Sequence, residues 1–180
     1  MAGGVRRSIA SRVLSKISKS KERIRIVNSF DKSVDFLVAW DEAQTDKDQK
    51  YIQDFLKFLH DSGKKVECVI YHHTRKKEKI KAFPKDGNIH LSKFDFSTLG
   101  LPKTVQVKKL LATKFDFFIN LNQDGRFPLK SIAGLTNATC RIGFPLEKSL
   151  PFYDILIGNP ANDTMEEFIK DLKFYVRKIG

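Results

Sequence analysis

The sequence is poor in cysteine and acid, and it lacks both long apolar runs and the glycine-rich loops that cradle phosphates. Its two cysteines, Cys68 and Cys140, each sit inside an apolar run, with no second ligand at metal spacing. That excludes a disulfide framework and points to small buried thiols in a reducing compartment. No apolar stretch approaches the ~20 residues of a helical membrane span. No apolar h-region follows the N-terminal arginines, so export by a standard signal is not expected, and the expected location is the cytoplasm. Patterns of the G-x-x-x-x-G-K, G-x-S-x-G and H-E-x-x-H kinds are missing. The first strand runs into Trp40, Asp41, Glu42, Ala43 and Gln44, where a dinucleotide would need glycines to reach the backbone. His72 and His73 are adjacent on extended chain and so point to opposite faces, which argues against a shared metal. No catalytic residue, metal or cofactor is assigned.

What is abundant is positive charge. With 33 basic against 21 acidic residues the net charge is +12, which favours polyanionic partners. Arg6, Arg7, Arg12, Lys16, Lys19, Lys21, Arg23 and Arg25 face the single acid Glu22. Val5, Ile9, Val13 and Ile17, with Leu14 beside them, recur near helical spacing, which predicts a basic amphipathic helix with one apolar stripe. Such a helix docks on its own domain, lies on a membrane or contacts nucleic acid. Its Arg- and Ser-rich composition is also that of an organellar presequence. Residues 1–30 are therefore read as a basic arm and 31–180 as a single α/β domain.

Within that domain, Val34 to Trp40 reads as a first strand. A helix to Asp61 follows, with Thr45 and Asp48 as a capping box and Tyr51, Ile52, Phe55, Leu56 and Leu59 as its buried stripe. Gly63 stops it, and Val66 to Tyr71 forms a second strand, expected to be parallel to the first. Further strands are expected at Asn88 to Leu91, Phe115 to Leu121, Thr139 to Gly143 and Asp154 to Gly158. Helices are expected at Thr104 to Lys114, from about Pro128, and at the C-terminus, where Asp163 with Glu166 reads as the cap. There Met165, Phe168, Ile169, Leu172, Tyr175, Val176 and Ile179 form the stripe. Alternating strands and helices predict a three-layer α/β sandwich around a mostly parallel sheet.

Two places carry candidate chemistry. Arg75, Lys76, Lys77 and Lys79 follow the end of the second strand and suit phosphate contact, as do Arg6, Arg7, Arg12, Lys16 and Lys19 in the arm. The loop after the Phe115 strand presents Asn122, Asp124 and Arg126 around Gly125, either as a ligand crevice or as plain turn chemistry. Asp41 joins that crevice, although Asp41 and Glu42 also suit the role of acids complementing a helix N-terminus.

The stretch Phe115 to Phe144 resembles the acceptor half of bacterial heptosyltransferases. Asn120, Leu121 and Asn122 stand at the polar strand end, and Arg141, Ile142, Gly143 and Phe144 match the R-I-G-F strand. This implies a Rossmann-like sheet, without the second half that would bind a sugar nucleotide. Over nearly its whole length the chain also resembles a small uncharacterised family of Bacteroidota proteins. The shared features are the basic N-terminal helix, Thr113 to Asp116, Arg141 to Gly143, Asp154 to Ile157 and the closing helix. That implies a complete bacterial domain and brings no known activity. The expected function is a non-catalytic module that binds a polyanion, RNA in a ribonucleoprotein assembly. The alternatives are a degenerate glycosyltransferase-like domain holding a phosphorylated or sugar ligand, and a membrane-peripheral or scaffold protein in a protein complex.

Overall fold

The computed structural model describes residues 2–42, 45–74, 86–146 and 150–179, with the backbone alone given for 2–7 and 150. The order of elements is α1 (Ala2–Ser20), β1 (Asp35–Asp41), α2 (Asp46–Asp61), β2 (Lys65–His72), β3 (Ile89–Ser92), α3 (Val105–Ala112), β4 (Lys114–Asn120), α4 (Phe127–Leu135), β5 (Asn137–Gly143), β6 (Ile155–Leu156) and α5 (Met165–Lys178). Six strands pair in the order β3-β2-β1-β4-β5-β6. Every pairing is parallel, with Val38 of β1 set between Cys68 and Ile119. The fold is the expected α/β sandwich, with the strand order of a Rossmann sheet.

Alternation along β1 explains the layers. Phe36, Val38 and Trp40 point to one face, where they meet Ile52, Phe55 and Leu59 of α2 and Phe168, Leu172 and Val176 of α5. Leu37 and Ala39 point to the other, against Leu110 of α3, Leu129 and Ile132 of α4 and Leu14 of α1. Successive side chains on a strand face opposite ways, so a strand covered on both sides must be apolar throughout, as β1 and β4 are. Each fully buried Leu, Ile or Phe contributes roughly 1.5–3 kcal/mol, so the two clusters supply the driving force without disulfides. Both cysteines are buried, and burial pushes each thiol up to about 12.

Several elements differ from expectation in ways that have local causes. Helix α2 begins at Asp46, because the Thr45 and Asp48 capping box closes there: Asp48 N donates to Thr45 Oγ1 at 3.2 Å. Asp41 and Glu42 therefore precede the helix and do not cap it. The cap of α5 is Thr164 with Glu167, one residue beyond the Asp163 and Glu166 pair. Asp163 instead accepts the backbone N–H of Asn159 in the preceding turn. Tyr175 lies on the solvent side of α5, half exposed, and β6 is only two residues long.

The largest difference is the face that α1 buries. Ala10 and Leu14 are enclosed, flanked by the half-buried Ser11, Ser15 and Ser18, while Ile9 and Ile17 of the expected stripe are 46% and 40% exposed. Helix α1 lies against α4, and the contact is close: a Cβ on Gly134 would sit 3.1 Å from Leu14 Cδ1. A narrow helix face of Ala and Ser permits that approach, whereas a row of β-branched side chains would hold the helices apart. The chain after α1 is then fastened by its own cations. Lys21 Nζ donates to the Leu135 carbonyl at 2.6 Å and the Leu111 carbonyl at 3.4 Å, at the C-terminal ends of α4 and α3. Arg23 donates to the carbonyls of Ala138 and Thr139 and pairs with Asp154 at 2.5 Å. Cations at helix C-termini satisfy carbonyls that have no partner within the helix.

Candidate functional site

The β1 and β4 strands lie side by side at the centre of the sheet, and from them the chain departs in opposite directions, β1 toward β2 and β4 toward β5. Open α/β sheets leave a crevice at the carboxyl ends of two such strands. Here that edge collects a polar cluster. Asp41 closes β1 with 1% of its surface exposed, and its carboxylate accepts from His73 Nε2 at 2.6 and 2.7 Å and from Arg126 Nε at 2.9 Å. A buried carboxylate needs such compensation, since an unpaired one would bear the full desolvation penalty.

Arg126 is held by the loop before α4. Asn120 Oδ1 accepts the Asn122 N–H, Asn122 Oδ1 accepts the Arg126 N–H at 2.9 Å, and Gly125 takes φ +66° to make the turn. Asn122 is 3% exposed, so its side chain braces the loop and does not face a ligand. Asp124 is largely exposed and lies 3.5 Å from Arg126 Nη2. The crevice residues read from the sequence, Asp41, Asn122, Asp124 and Arg126, are thus brought together, with Asn122 in a supporting role. Asn120 Nδ2 also donates to Tyr153, whose hydroxyl burial pushes up to about 12. Gly143 makes room for that ring: a Cβ there would lie 2.5 Å from Tyr153 Cε1. Arg141 is a structural residue, donating to the Gly134 and Thr136 carbonyls, and burial followed by the Arg23 charge brings it down to about 10.

A second chain of contacts runs across the ends of β1, β2 and β3. Glu42 pairs with His72 Nδ1 and accepts the His73 N–H at 2.6 Å. His72 Nε2 meets His90 Nδ1 at 2.7 Å, and His90 Nε2 meets Asp86 at 2.9 Å. The His90 hydrogen bond, then the Asn88 N–H, holds the Asp86 carboxyl down at about 2. From the sequence, His72 and His73 are set aside as a metal pair and His90 is not singled out. The available signal was their place, since His72 ends one strand, His73 follows it, and Asp41 and Glu42 end its neighbour. Among the described residues no group of three or more metal-binding side chains converges.

Beside this cluster, on the α1, α3 and α4 side of the sheet, lies a cavity of about 300 Å³ lined by Tyr71, Phe96, Phe127, Pro128, Gly100 and Lys93, among others. Tyr71 joins the two, its ring 5.3 Å from that of His73 and 6.1 Å from that of Phe96. Burial, then the Asp41 charge, raises its hydroxyl above the ordinary tyrosine range.

The charged residues of the arm fall elsewhere. Arg12, Lys16 and Lys19 stand exposed on α1, and the backbone of Arg6 and Arg7 belongs to the same helix. Arg75, Lys76, Lys77 and Lys79 lie outside the described residues. Helices α1, α3 and α4 form one layer, and they contain eight basic residues, Arg6, Arg7, Arg12, Lys16, Lys19, Lys108, Lys109 and Lys130, with no acid. Helices α2 and α5, on the opposite face, carry seven acids and seven lysines or arginines. The sequence signal for Lys108 and Lys109 was the acid-free run 96–115, legible only once α3 is placed on the same face of the sheet as α1.

A parallel α/β sheet of Rossmann order, one helical layer whose charged residues are all basic and a histidine and carboxylate cluster at the strand ends define the class of chain this is. A family model matches residues 6–179, and the chain belongs to that family, DUF6913, a family of unknown function. No curated protein and no solved structure matches the chain.

Proposed function

We propose that the protein binds RNA through the outer surface of the α1, α3 and α4 layer, in a cytoplasmic ribonucleoprotein assembly. The observation that carries this reading is the exclusion of acids from the three helices on one face of the sheet while the helices of the opposite face are balanced. Like charges crowded on one face repel, and a polyanion relieves that repulsion by displacing its own condensed counterions. Arg12, Lys16, Lys19, Lys108 and Lys109 are exposed. Five phosphate contacts on a single strand give a slope of about −3.5 in log K against log salt, a loss of about a hundredfold between roughly 50 and 200 mM. Filter binding of single-stranded RNA against salt tests this. Replacing Arg12, Lys16 and Lys19 by Ala should flatten the slope by about 2. An unchanged slope, or no binding at low salt, would remove the proposal.

A second reading is favoured by the aliphatic residues on the same layer. Ile9, Ile17 and Val105 are 46%, 40% and 69% exposed among the cations, a combination suited to an anionic membrane surface. Flotation with vesicles containing phosphatidylserine separates the two. Binding that is lost in Ile9→Ser with Ile17→Ser, while RNA binding is absent, selects the membrane.

A further inference from the structure

We infer that the carboxyl edge at the β1 and β4 switch point binds a small phosphate ester whose planar organic part enters the adjoining cavity. Three features meet there. Arg126 is oriented by the bond from its Nε to the buried Asp41, which leaves the Nη edge of a side chain 39% exposed for an anion. A guanidinium fixed on one edge is pre-organised to meet phosphate with the other. His73 is fixed by Nε2 on the same carboxylate and is 35% exposed, so its Nδ1 is the nitrogen left for a ligand. The first turn of α4 begins immediately after Arg126 with no side-chain cap and no acid; Pro128 has no N–H, so the Phe127 and Leu129 amides are the ones that add a partial positive charge in the same place.

The cavity supplies the organic half of the ligand. Tyr71, Phe96 and Phe127 bring three rings to a space of about 300 Å³, the low end of the range for small-molecule sites. Rings on several sides favour a flat body by stacking and edge contacts. Lys93 stands exposed at its border and adds a second cation. Asp124, 3.5 Å from Arg126 Nη2, is the group an incoming anion must displace or pass. It is largely exposed and sits on a loop, so displacing it requires no buried charge to be uncovered.

The test is isothermal titration calorimetry on the full chain. The probes are adenosine 5′-monophosphate, uridine 5′-monophosphate and 4-nitrophenyl phosphate, with adenosine and inorganic phosphate as separate arms. At least one ester should bind about tenfold or more tightly than either of its halves. Arg126→Gln should weaken that binding by about tenfold or more and Arg126→Lys by less. Thr98→Trp, at the cavity border, should weaken the ester and leave inorganic phosphate unchanged. Replacing Arg12, Lys16 and Lys19 by Ala should leave ester binding unchanged, which separates this site from the RNA surface. If Arg126→Gln loses its fold because the buried Asp41 carboxylate loses one of its charged partners, Thr98→Trp and Arg126→Lys still decide. No binding by any ester at about 1 mM, equal binding by inorganic phosphate alone, or indifference to both Thr98→Trp and the Arg126 variants overturns the inference.

Discussion

The docking of α1 is best tested by comparing two aliphatic residues of that helix. Leu14 is fully enclosed and Ile9 is 46% exposed. Truncating Leu14 to Ala removes three carbons from a closed site, about 2.4 kcal/mol at roughly 0.8 kcal/mol per methylene. The void left against Gly134 and Phe152 adds a cavity contribution, which brings the expected cost to about 3 kcal/mol, within the usual span for buried Leu→Ala changes. Ile9→Ala removes a half-solvated side chain and gains helix propensity, so it should cost about 0.5 kcal/mol or less. Urea unfolding followed both by far-UV circular dichroism and by the fluorescence of the single tryptophan, Trp40, measures each. Trp40 lies in the α2 and α5 cluster, on the far side of the sheet from α1. Coincident transitions for the two probes mean that α1 unfolds with the sheet; an early loss of helix with Trp40 unchanged means that it undocks alone. If Ile9→Ala costs as much as Leu14→Ala, or if Leu14→Ala costs under about 1 kcal/mol, the buried face of α1 has been assigned wrongly.

Two further predictions concern the carboxyl edge and the strand beside it. Gly143→Ala places a methyl 2.5 Å from the Tyr153 ring. Because that ring is tied by its hydroxyl to Asn120, overpacking of about 1–3 kcal/mol should appear as a lower urea midpoint; an unchanged midpoint would mean the ring moves freely. Asp86, with its carboxyl at about 2 against an ordinary 3.8, stabilises the fold fully above the unfolded value, and this contribution is lost as pH falls toward 2. The stability difference between the wild type and Asp86→Asn should therefore shrink as pH falls through that window, and a difference independent of pH would refute the His90 contact.

Most of the sheet was legible because its strands are buried on both faces and so read as apolar runs, as at Val34 to Trp40 and Phe115 to Leu121. The Thr45 and Asp48 cap was legible because both partners of a capping box lie within one turn. The α5 cap was displaced by one residue because the segment DTMEEF offers two overlapping solutions, and the competing demand of the Asn159 turn for Asp163 cannot be seen from spacing. The buried face of α1 was misjudged for a related reason. Hydrophobic periodicity identifies where the large apolar residues lie, yet the face that packs was chosen by smallness opposite Gly134, a non-local partner. At the crevice, Asp41 and Arg126 could be nominated from strand ends. Their shared bond with His73 could not, since it depends on β1, β2 and β4 being neighbours, and neighbours in a sheet are not neighbours in sequence.

The same distinction changes what the N-terminal charge means. Counted along the chain, the first 25 residues look like one basic arm. Placed in space, that charge has two physical roles. Lys21 and Arg23 are spent on helix-end and strand-end carbonyls and on Asp154, where burial and the Arg141 charge depress the Lys21 ammonium. Arg12, Lys16 and Lys19 remain exposed and acquire partners in kind from α3, which no count along the chain would group with them. A cation buried on carbonyls stabilises the fold and offers nothing to a polyanion, while an exposed one does the reverse. The quantity that bears on binding is therefore the charge of the α1, α3 and α4 surface. The arm's own net charge overstates one end of that surface and omits the other.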